Sequence, residues 1–278
     1  MDINKVGTEA FILLVLGAIF SFVIPLLIAI VWKKKKKEPF STILVGAAIF
    51  LLFALILGKP IQALVIAIDH PVSRFLKAYP VLLALVLGFF PGIFEETGRF
   101  IAFKTLLKKR KNKETSISYG IGHGGFEAMI LLGMVYITYI YFAIMINAGT
   151  FETLVNQAAA KAPNQANALT TIAKEIADIN VIKIILGFLE RAFAILIQIG
   201  LSILVFYACR DKGKFWLYPF AILLHTIIDF TVGLKVVNVL NLSAWAVEGI
   251  LSTYAILTFC GAYFLLYKKD LEEQVSPL

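Results

Sequence analysis

The chain has 278 residues, of which 60% are hydrophobic and only 16% carry a charge. Soluble globular proteins are about 45–50% apolar and about 25% charged, so this composition argues against a soluble protein and predicts a polytopic membrane protein. The net charge of +8 does not indicate nucleic-acid binding, because the basic residues are concentrated beside apolar segments, where they serve topology and contact anionic lipid.

Seven apolar stretches are long enough to cross a bilayer, which requires about 20 residues for a hydrocarbon core of about 30 Å. We therefore predict an all-α fold with about seven transmembrane helices in a single bundle over residues 1–278. A further apolar run at 60–68 is too short to span and is expected to be interfacial or re-entrant. The polar segment 150–180 is predicted to form two short helices, interrupted at Pro163, in an extracytoplasmic loop. The predicted spans are residues 9–32, 39–58, 80–107, 117–149, 181–209, 215–235 and 243–267.

The connections between the spans differ in charge from one side of the membrane to the other. One set carries 16 lysines and arginines, including five consecutive lysines at 33–37, whereas the other carries 8 over longer segments. Cytoplasmic loops have an excess of such residues, so we predict an outside N-terminus and a cytoplasmic C-terminus in a bacterial-type plasma membrane. Because the first span ends in the lysine run and not in a small-residue cleavage site, we expect it to be an anchor.

Ionisable and strongly polar residues lie deep inside four of the spans, whereas Glu248, near the outer end of the seventh, is expected to be solvated or to snorkel. A charge at the bilayer centre costs at least about 2.5–3.5 kcal/mol, so such residues face the interior of a bundle and pair there. The pairs Glu95–Arg99 and His123–Glu127 are each spaced i, i+4, which places both members on one helical face. We therefore predict that the four spans meet in one polar cavity. The candidate residues are Glu95, Glu96 and Arg99 in the third span, His123 and Glu127 in the fourth, Glu190, Arg191 and Gln198 in the fifth, and His225 and Asp229 in the sixth.

Carboxylates, imidazoles and an arginine in a secluded cavity are suited to activating water. A buried glutamate beside an arginine can serve as a general base, and histidines can complete a metal site or stabilise an oxyanion. The signatures of other hydrolases and of nucleotide-binding proteins, such as HExxH, GxSxG and the Walker loop, do not occur in this sequence. Hydrolysis within the membrane is therefore the chemistry that these residue types favour.

Four short motifs carry a resemblance to a known group of membrane proteases. "EETGR" at 95–99 and "HTIID" at 225–229 resemble the EExxxR and HxxxN/D signatures of the CAAX-protease and bacteriocin-processing superfamily, although the arginine comes one residue earlier here. "GIGHGGFEA" and "ERAFAILIQ" are similar to the YhfC branch of that superfamily, which is regarded as a group of intramembrane metalloproteases. The resemblance covers the third to the sixth span, so the catalytic core would lie within 80–235.

The resemblance implies an intramembrane endopeptidase that hydrolyses membrane-associated substrates with a glutamate-activated water. Glu95 would activate the water beside Glu96, and Arg99 would order the site. His225 would be a ligand or an oxyanion stabiliser, and Asp229 would fill the place of the family's Asn or Asp.

A metal such as zinc is a further implication of the resemblance, with Glu95, His123 and His225 as its ligands. Related branches end the third motif in histidine, whereas this chain has Gln198 there. Glutamine is a poor metal ligand, so either His123 substitutes for that histidine or no metal is bound.

Two other functions remain open on the residues alone. Intramembrane Glu, His and Asp chains also form proton relays, which would suit a proton- or ion-coupled transporter, although the sequence lacks the internal repeat of many carriers. A catalytically inactive scaffold of the same fold is the second alternative, which Gln198 favours weakly and the intact Glu95–Glu96–Arg99 set opposes. The expected partners are a membrane peptide or protein substrate and the lipid bilayer.

Overall fold

The structure is a computed structural model that describes residues 5–270. Within that range the chain forms helices and no strands, and seven helices are long and apolar enough to cross a membrane. The predicted all-α, seven-span fold is therefore confirmed, and most limits agree with the predicted ones to a few residues. The spans are Thr8–Lys36, Phe40–Ile66, Pro80–Lys104, Glu114–Asn147, Val181–Arg210, Leu217–Val236 and Ala244–Asp270.

The second span is the one whose predicted end was wrong. Its helix runs from Phe40 to Ile66, so most of the apolar run that we expected to be interfacial or re-entrant is the continuation of this helix. We had expected the run to stand apart because it is too short to span by itself. Pro60 lies at the start of the helical segment Lys59–Ile66, which directly follows a π-helical segment, Phe50–Gly58. The helix continues on both sides of Pro60, so this proline removes one backbone hydrogen bond without ending the helix.

The segment between the fourth and fifth spans forms two short helices, as predicted. They are Phe151–Lys161 and Pro163–Ala177, and the residue between them, Ala162, has an extended backbone with φ −156° and ψ 103°. A residue that precedes proline is pushed out of the helical region by the proline ring, which explains the interruption.

Large apolar side chains cover the outside of the spans. Leu64 is 56% exposed, Ile144 is 54% exposed and Leu257 is 66% exposed. Exposure of so many large apolar side chains to water would be unfavourable, whereas lipid tails solvate them. Together with the seven apolar helices, this surface identifies the chain as a multi-pass membrane protein that lies in a lipid bilayer.

The described chain divides into two compact units. The first unit comprises the residues up to Pro25 together with 128–191, and the second comprises 26–127 together with the residues from Ala192 onward. Each unit has its own core of buried apolar side chains. Eight of the ten candidate site residues lie in the second unit, which is therefore the part of the fold that positions the site.

Two glycines allow spans of the second unit to approach each other backbone to backbone. A Cβ atom added to Gly122 would lie 1.9 Å from the carbonyl oxygen of Ile43, and one added to Gly88 would lie 2.5 Å from the backbone nitrogen of Phe230. Small residues permit such close helix contacts in membranes. The fourth span therefore lies directly against the second, and His123, which follows Gly122, is fully buried.

Pro91 lies inside the third span, one turn before Glu95. Because proline has no N–H, the carbonyl oxygen of Leu87 loses its donor within the helix. The buried side chain of Gln62 replaces that donor, with its Nε2 atom 3.1 Å from the Leu87 oxygen. The second span thus satisfies a polar group for which the membrane interior offers no water.

Candidate active site

The carboxylate of Glu95 lies at the centre of a buried polar cluster in the second unit. Its Oε2 atom is 3.0 Å from Nε2 of His123, 3.3 Å from Nε2 of Gln198 and 3.9 Å from Nε2 of His225. All four side chains are buried. The fourth, fifth and sixth spans therefore each bring a nitrogen atom toward one oxygen of the third span.

Glu96, the neighbouring carboxylate, is engaged in a separate set of contacts. Both of its oxygens accept hydrogen bonds from Nη1 of Arg99, at 2.8 and 2.7 Å, and its Oε1 atom is 2.8 Å from Nδ1 of His225. A carboxylate only accepts hydrogen bonds, so Nδ1 of His225 carries the proton. The other ring nitrogen, Nε2, is turned toward Glu95 and lies 3.6 Å from Oδ2 of Asp229. The ion pair between Glu96 and Arg99 thus orients the imidazole of His225 beside Glu95.

Gln198 joins these two sets of contacts. Its Oε1 atom accepts a hydrogen bond from Nη2 of Arg99, and its Nε2 atom donates to Oε2 of Glu127 at 2.8 Å as well as to Glu95. Continuous polar contacts therefore link eight of the ten predicted residues across four spans, as the sequence predicted.

The cluster is rich in carboxylates that lie close together in a buried site. Its contacts within the second unit join four carboxylates, one arginine and two histidines, and Glu127 and Asp229 have further interactions. Burying a carboxylate is costly in a medium of low dielectric constant unless a partner compensates for its charge. Carboxylates and imidazoles grouped in this way are suited to binding a cation or a proton.

Three side chains of the cluster have the arrangement of a metal site. Glu95, His123 and Glu127 each offer one ligand atom, and these atoms lie within 4.8 Å of one another. Imidazole and carboxylate groups are ligands of catalytic zinc, and a site with three protein ligands keeps a position open for water or substrate. The residues present therefore fit a divalent cation.

The composition of this group differs from the predicted one in a single residue. We predicted Glu95, His123 and His225, whereas the structure groups Glu127 with the first two. His225 is instead anchored through Nδ1 to Glu96. The i, i+4 spacing of His123 and Glu127 was the sequence signal that could have identified the third member.

Glu190 and Arg191 are the two predicted residues that lie in the first compact unit. They form an ion pair with each other, in which the side chain of Glu190 is 43% exposed. Their supporting role therefore stays a prediction.

Two aromatic residues beside the cluster were not predicted. Phe50 begins the π-helical segment of the second span, and its ring packs against His123 in a T-shaped arrangement, with centroids 5.2 Å apart. The ring of Tyr119 lies 5.9 Å from the guanidinium carbon of Arg99. Both aromatic residues are buried. Tyr119 could have been found because it lies one turn before His123, whereas Phe50 lies in a uniformly apolar run and carries no such signal.

Comparison with known proteins agrees with the motifs. A family model described as "YhfC intramembrane metalloprotease" matches residues 20–251. The chain is also 30% identical over 253 residues to a Bacillus subtilis (strain 168) protein named "Uncharacterized membrane protein YhfC", an alignment that covers 91% of this chain and 95% of that protein. No solved structure matches the chain. The match is to the branch that the sequence motifs resemble and extends over most of the chain, so this protein belongs to the YhfC family.

Proposed function

We propose that the chain is an intramembrane endopeptidase that hydrolyses peptide bonds of membrane-associated substrates in a bacterial-type plasma membrane. The observation that carries the proposal is the buried Glu95 carboxylate, which lies 3.0 Å from His123 in a group that fits a divalent cation. The family description, which names a metalloprotease, supports the reaction class. In the proposed orientation the N-terminus lies outside and the C-terminus in the cytoplasm.

Glu95 is the general base in this proposal. Its Oε2 atom faces the nitrogen atoms of three neighbouring residues, which leaves Oε1 to take a proton from water as the water attacks the scissile carbonyl carbon. The same carboxyl group then returns the proton to the nitrogen of the leaving amine. The reaction is balanced, because one water is consumed when the peptide bond is cleaved and the carboxylate of Glu95 is regenerated.

His225 stabilises the oxyanion that forms on the carbonyl oxygen. Glu96 holds its Nδ1 atom, so Nε2 is directed toward Glu95, where the substrate carbonyl would lie. In its protonated form Nε2 donates to the developing negative charge, and a preoriented donor of this kind is effective in a site without water. Arg99 neutralises Glu96 and keeps that carboxylate out of the proton transfer.

Glu95, His123 and Glu127 are the residues that would hold a divalent cation, for which Zn²⁺ is our proposal. When bound, the cation would supply Lewis acidity toward water and the scissile carbonyl. Asp229 is 34% exposed, so we place the approach of the substrate on its side of the cluster, laterally between spans or from the cytoplasmic leaflet.

The proposal is tested by reconstituting the purified chain in liposomes with quenched-fluorescence peptides. Each peptide would carry one apolar span of about 20 residues. The wild type is expected to cleave a subset of these peptides, and Glu95→Gln is expected to lower the rate by about 10²–10⁴-fold at an unchanged melting temperature. Asp211→Asn, outside the cluster, is the matched control and should cleave at the wild-type rate.

Three outcomes would contradict the proposal. Cleavage by Glu95→Gln at the wild-type rate would remove Glu95 from the reaction. Proton flux that depends on Glu127 or Asp229, without cleavage, would favour the ion-coupled transporter. A protein that gives neither cleavage nor flux would favour the inactive scaffold.

A further inference from the structure

We infer that Gln198 is a positioning residue that holds the carboxylates of Glu95 and Glu127 together for a divalent cation and is not itself a ligand. The inference rests on the proposed function and assigns a role to the one residue that departs from the histidine of related branches. The evidence for it is the set of hydrogen bonds made by the buried side-chain amide of Gln198.

The orientation of the Gln198 amide is forced by its partners. Arg99 offers only donors, so the amide must present Oε1 to the guanidinium, as it does. The NH₂ group then faces Glu95 and Glu127, which offer only acceptors when ionised. The reverse orientation would place the NH₂ group on the arginine and the oxygen on two carboxylates, so all of its contacts would be repulsive.

This orientation excludes Gln198 from a metal site. The oxygen, which is the atom of an amide that binds metal ions, is occupied by Arg99. The nitrogen is committed to the two carboxylates, at 2.8 Å from Glu127 and 3.3 Å from Glu95. The imidazole that the third motif lacks is instead supplied by His123, one turn before Glu127.

A neutral amide suits this position better than the alternatives. Lysine or arginine would also hold two carboxylates together, but its positive charge would oppose the cation that the cluster is suited to bind. A histidine could donate to only one of the two carboxylates, because its second nitrogen would face the arginine. Glutamine supplies one acceptor and two donors without charge, which matches one guanidinium and two carboxylates.

Packing holds the amide in place. Gln198 is 4% exposed, and a Cβ atom added to Gly124 would lie 3.0 Å from its Cβ atom and 3.0 Å from Cα of Ile195. The fourth span therefore lies directly against the backbone of the fifth at this position. The residues that orient a metal ligand act through such fixed hydrogen bonds.

The test compares two buried glutamines of the same unit in the full chain. Gln198→Met keeps the length of the side chain and removes its hydrogen bonds, and we expect the affinity for Co²⁺, measured by chelator competition in detergent, to fall about 10–100-fold. Gln62→Met, which removes the bond to the Leu87 carbonyl, is the control and should keep the wild-type affinity. The absorption spectrum of the bound Co²⁺ should change in the first variant alone.

A second variant separates the two sides of the amide. Gln198→Glu keeps the acceptor for Arg99 but faces Glu95 and Glu127 with an oxygen, so we expect it to lower kcat for peptide cleavage at least tenfold with little change in KM.

The inference is overturned if Gln198→Met binds Co²⁺ as the wild type does, if Gln62→Met loses as much affinity, or if the wild type binds none. Wild-type kcat in Gln198→Glu would overturn it as well. Binding of Co²⁺ without peptide cleavage by the wild type would refute the proposed function alone, and the Co²⁺ comparison would still decide the role of Gln198.

Discussion

Two polar clusters of the second unit are built from similar residues but differ in burial. At the end of the fifth span, Arg210 and Lys214 pair with Asp211 and Asp270 at 2.6–2.8 Å, and these side chains are 12–42% exposed. We call this group the neutral cluster, because its two basic and two acidic groups balance. The cluster around Glu95 brings several carboxylates and two imidazoles together, and most of its side chains are buried.

The difference separates a structural role from a functional one. Balanced and partly exposed ion pairs contribute modestly to stability and require no further partner. Carboxylates and imidazoles grouped in a buried site, in contrast, are costly to desolvate, and such groups occur at functional sites more often than elsewhere. We therefore attribute stability to the cluster at Arg210 and chemistry to the cluster at Glu95. The predictions below test that division.

The largest difference is expected when the arginine of each cluster is removed. Arg99→Met leaves Glu96 buried without its cation, and we expect the free energy of unfolding in detergent to fall by about 3–5 kcal/mol. Arg210→Met removes a pair that is partly solvated, so we expect a loss of about 1 kcal/mol. Equal losses in the two variants, measured by equilibrium denaturant titration, would show that burial does not distinguish the clusters.

Binding of a cation should stabilise the protein through one cluster only. At a Zn²⁺ concentration of about 100 times Kd, we expect the wild type to gain about 2.7 kcal/mol of unfolding free energy. His123→Asn should abolish this gain, because it removes the imidazole of the group that fits a metal. Asp270→Asn should retain it. The measurement is the thermal melting temperature with and without Zn²⁺, and a gain that persists in His123→Asn would locate the cation elsewhere.

Removing the charge of Lys113, which lies near the neutral cluster, is expected to raise the unfolding free energy, and by less than the removal of Arg99 lowers it. The ammonium group of Lys113 is buried without a hydrogen-bond partner among the described residues and lies 5.1 Å from the ring centroid of Tyr267. Burial lowers the pKa of Lys113 despite the nearby acidic groups. Because the folded state disfavours the charged form, Lys113→Met should raise the unfolding free energy at pH 7 by about 1 kcal/mol. A loss of stability would mean that the contact with Tyr267 outweighs the cost of burial.

The smallest effect concerns the pH dependence of the neutral cluster. Partial burial of Asp211 opposes its ionisation, but the hydrogen bonds from Arg210 and Lys214 outweigh it and lower the pKa of Asp211. The carboxylate therefore contributes stability at neutral pH, and this contribution is lost as the pH falls through the lowered pKa. Asp211→Asn should cost less than about 1 kcal/mol at pH 7 and nothing at a pH below that pKa. Melting curves at the two pH values check this, and a cost independent of pH would contradict it.

The fold could be predicted from the sequence because lipid imposes simple requirements. A span must be long and apolar, so the limits of the seven helices were close to the observed ones. The prediction at 60–68 was wrong because this run, too short to span by itself, continues the helix of the second span directly after a π-helical segment. That segment lies in a uniformly apolar run and leaves no trace in the hydrophobic pattern.

The membership of the cluster could be predicted as well, because polar residues in a membrane must meet one another. The particular atoms that contact one another could not be predicted. The grouping of Glu127 with Glu95 and His123 depends on Gln198, and the orientation of His225 depends on Glu96. These are contacts between spans, and spacing along a single helix does not contain them.

The measurement that tests the division between the two clusters most directly is anomalous X-ray diffraction at the zinc edge from crystals of the Zn²⁺-loaded protein. We expect one strong peak about 2.0–2.2 Å from the ligand atoms of Glu95, His123 and Glu127, and none at Asp211 and Asp270. A peak at the neutral cluster, or no peak within bonding distance of Glu95, would contradict the assignment of function to the buried carboxylates.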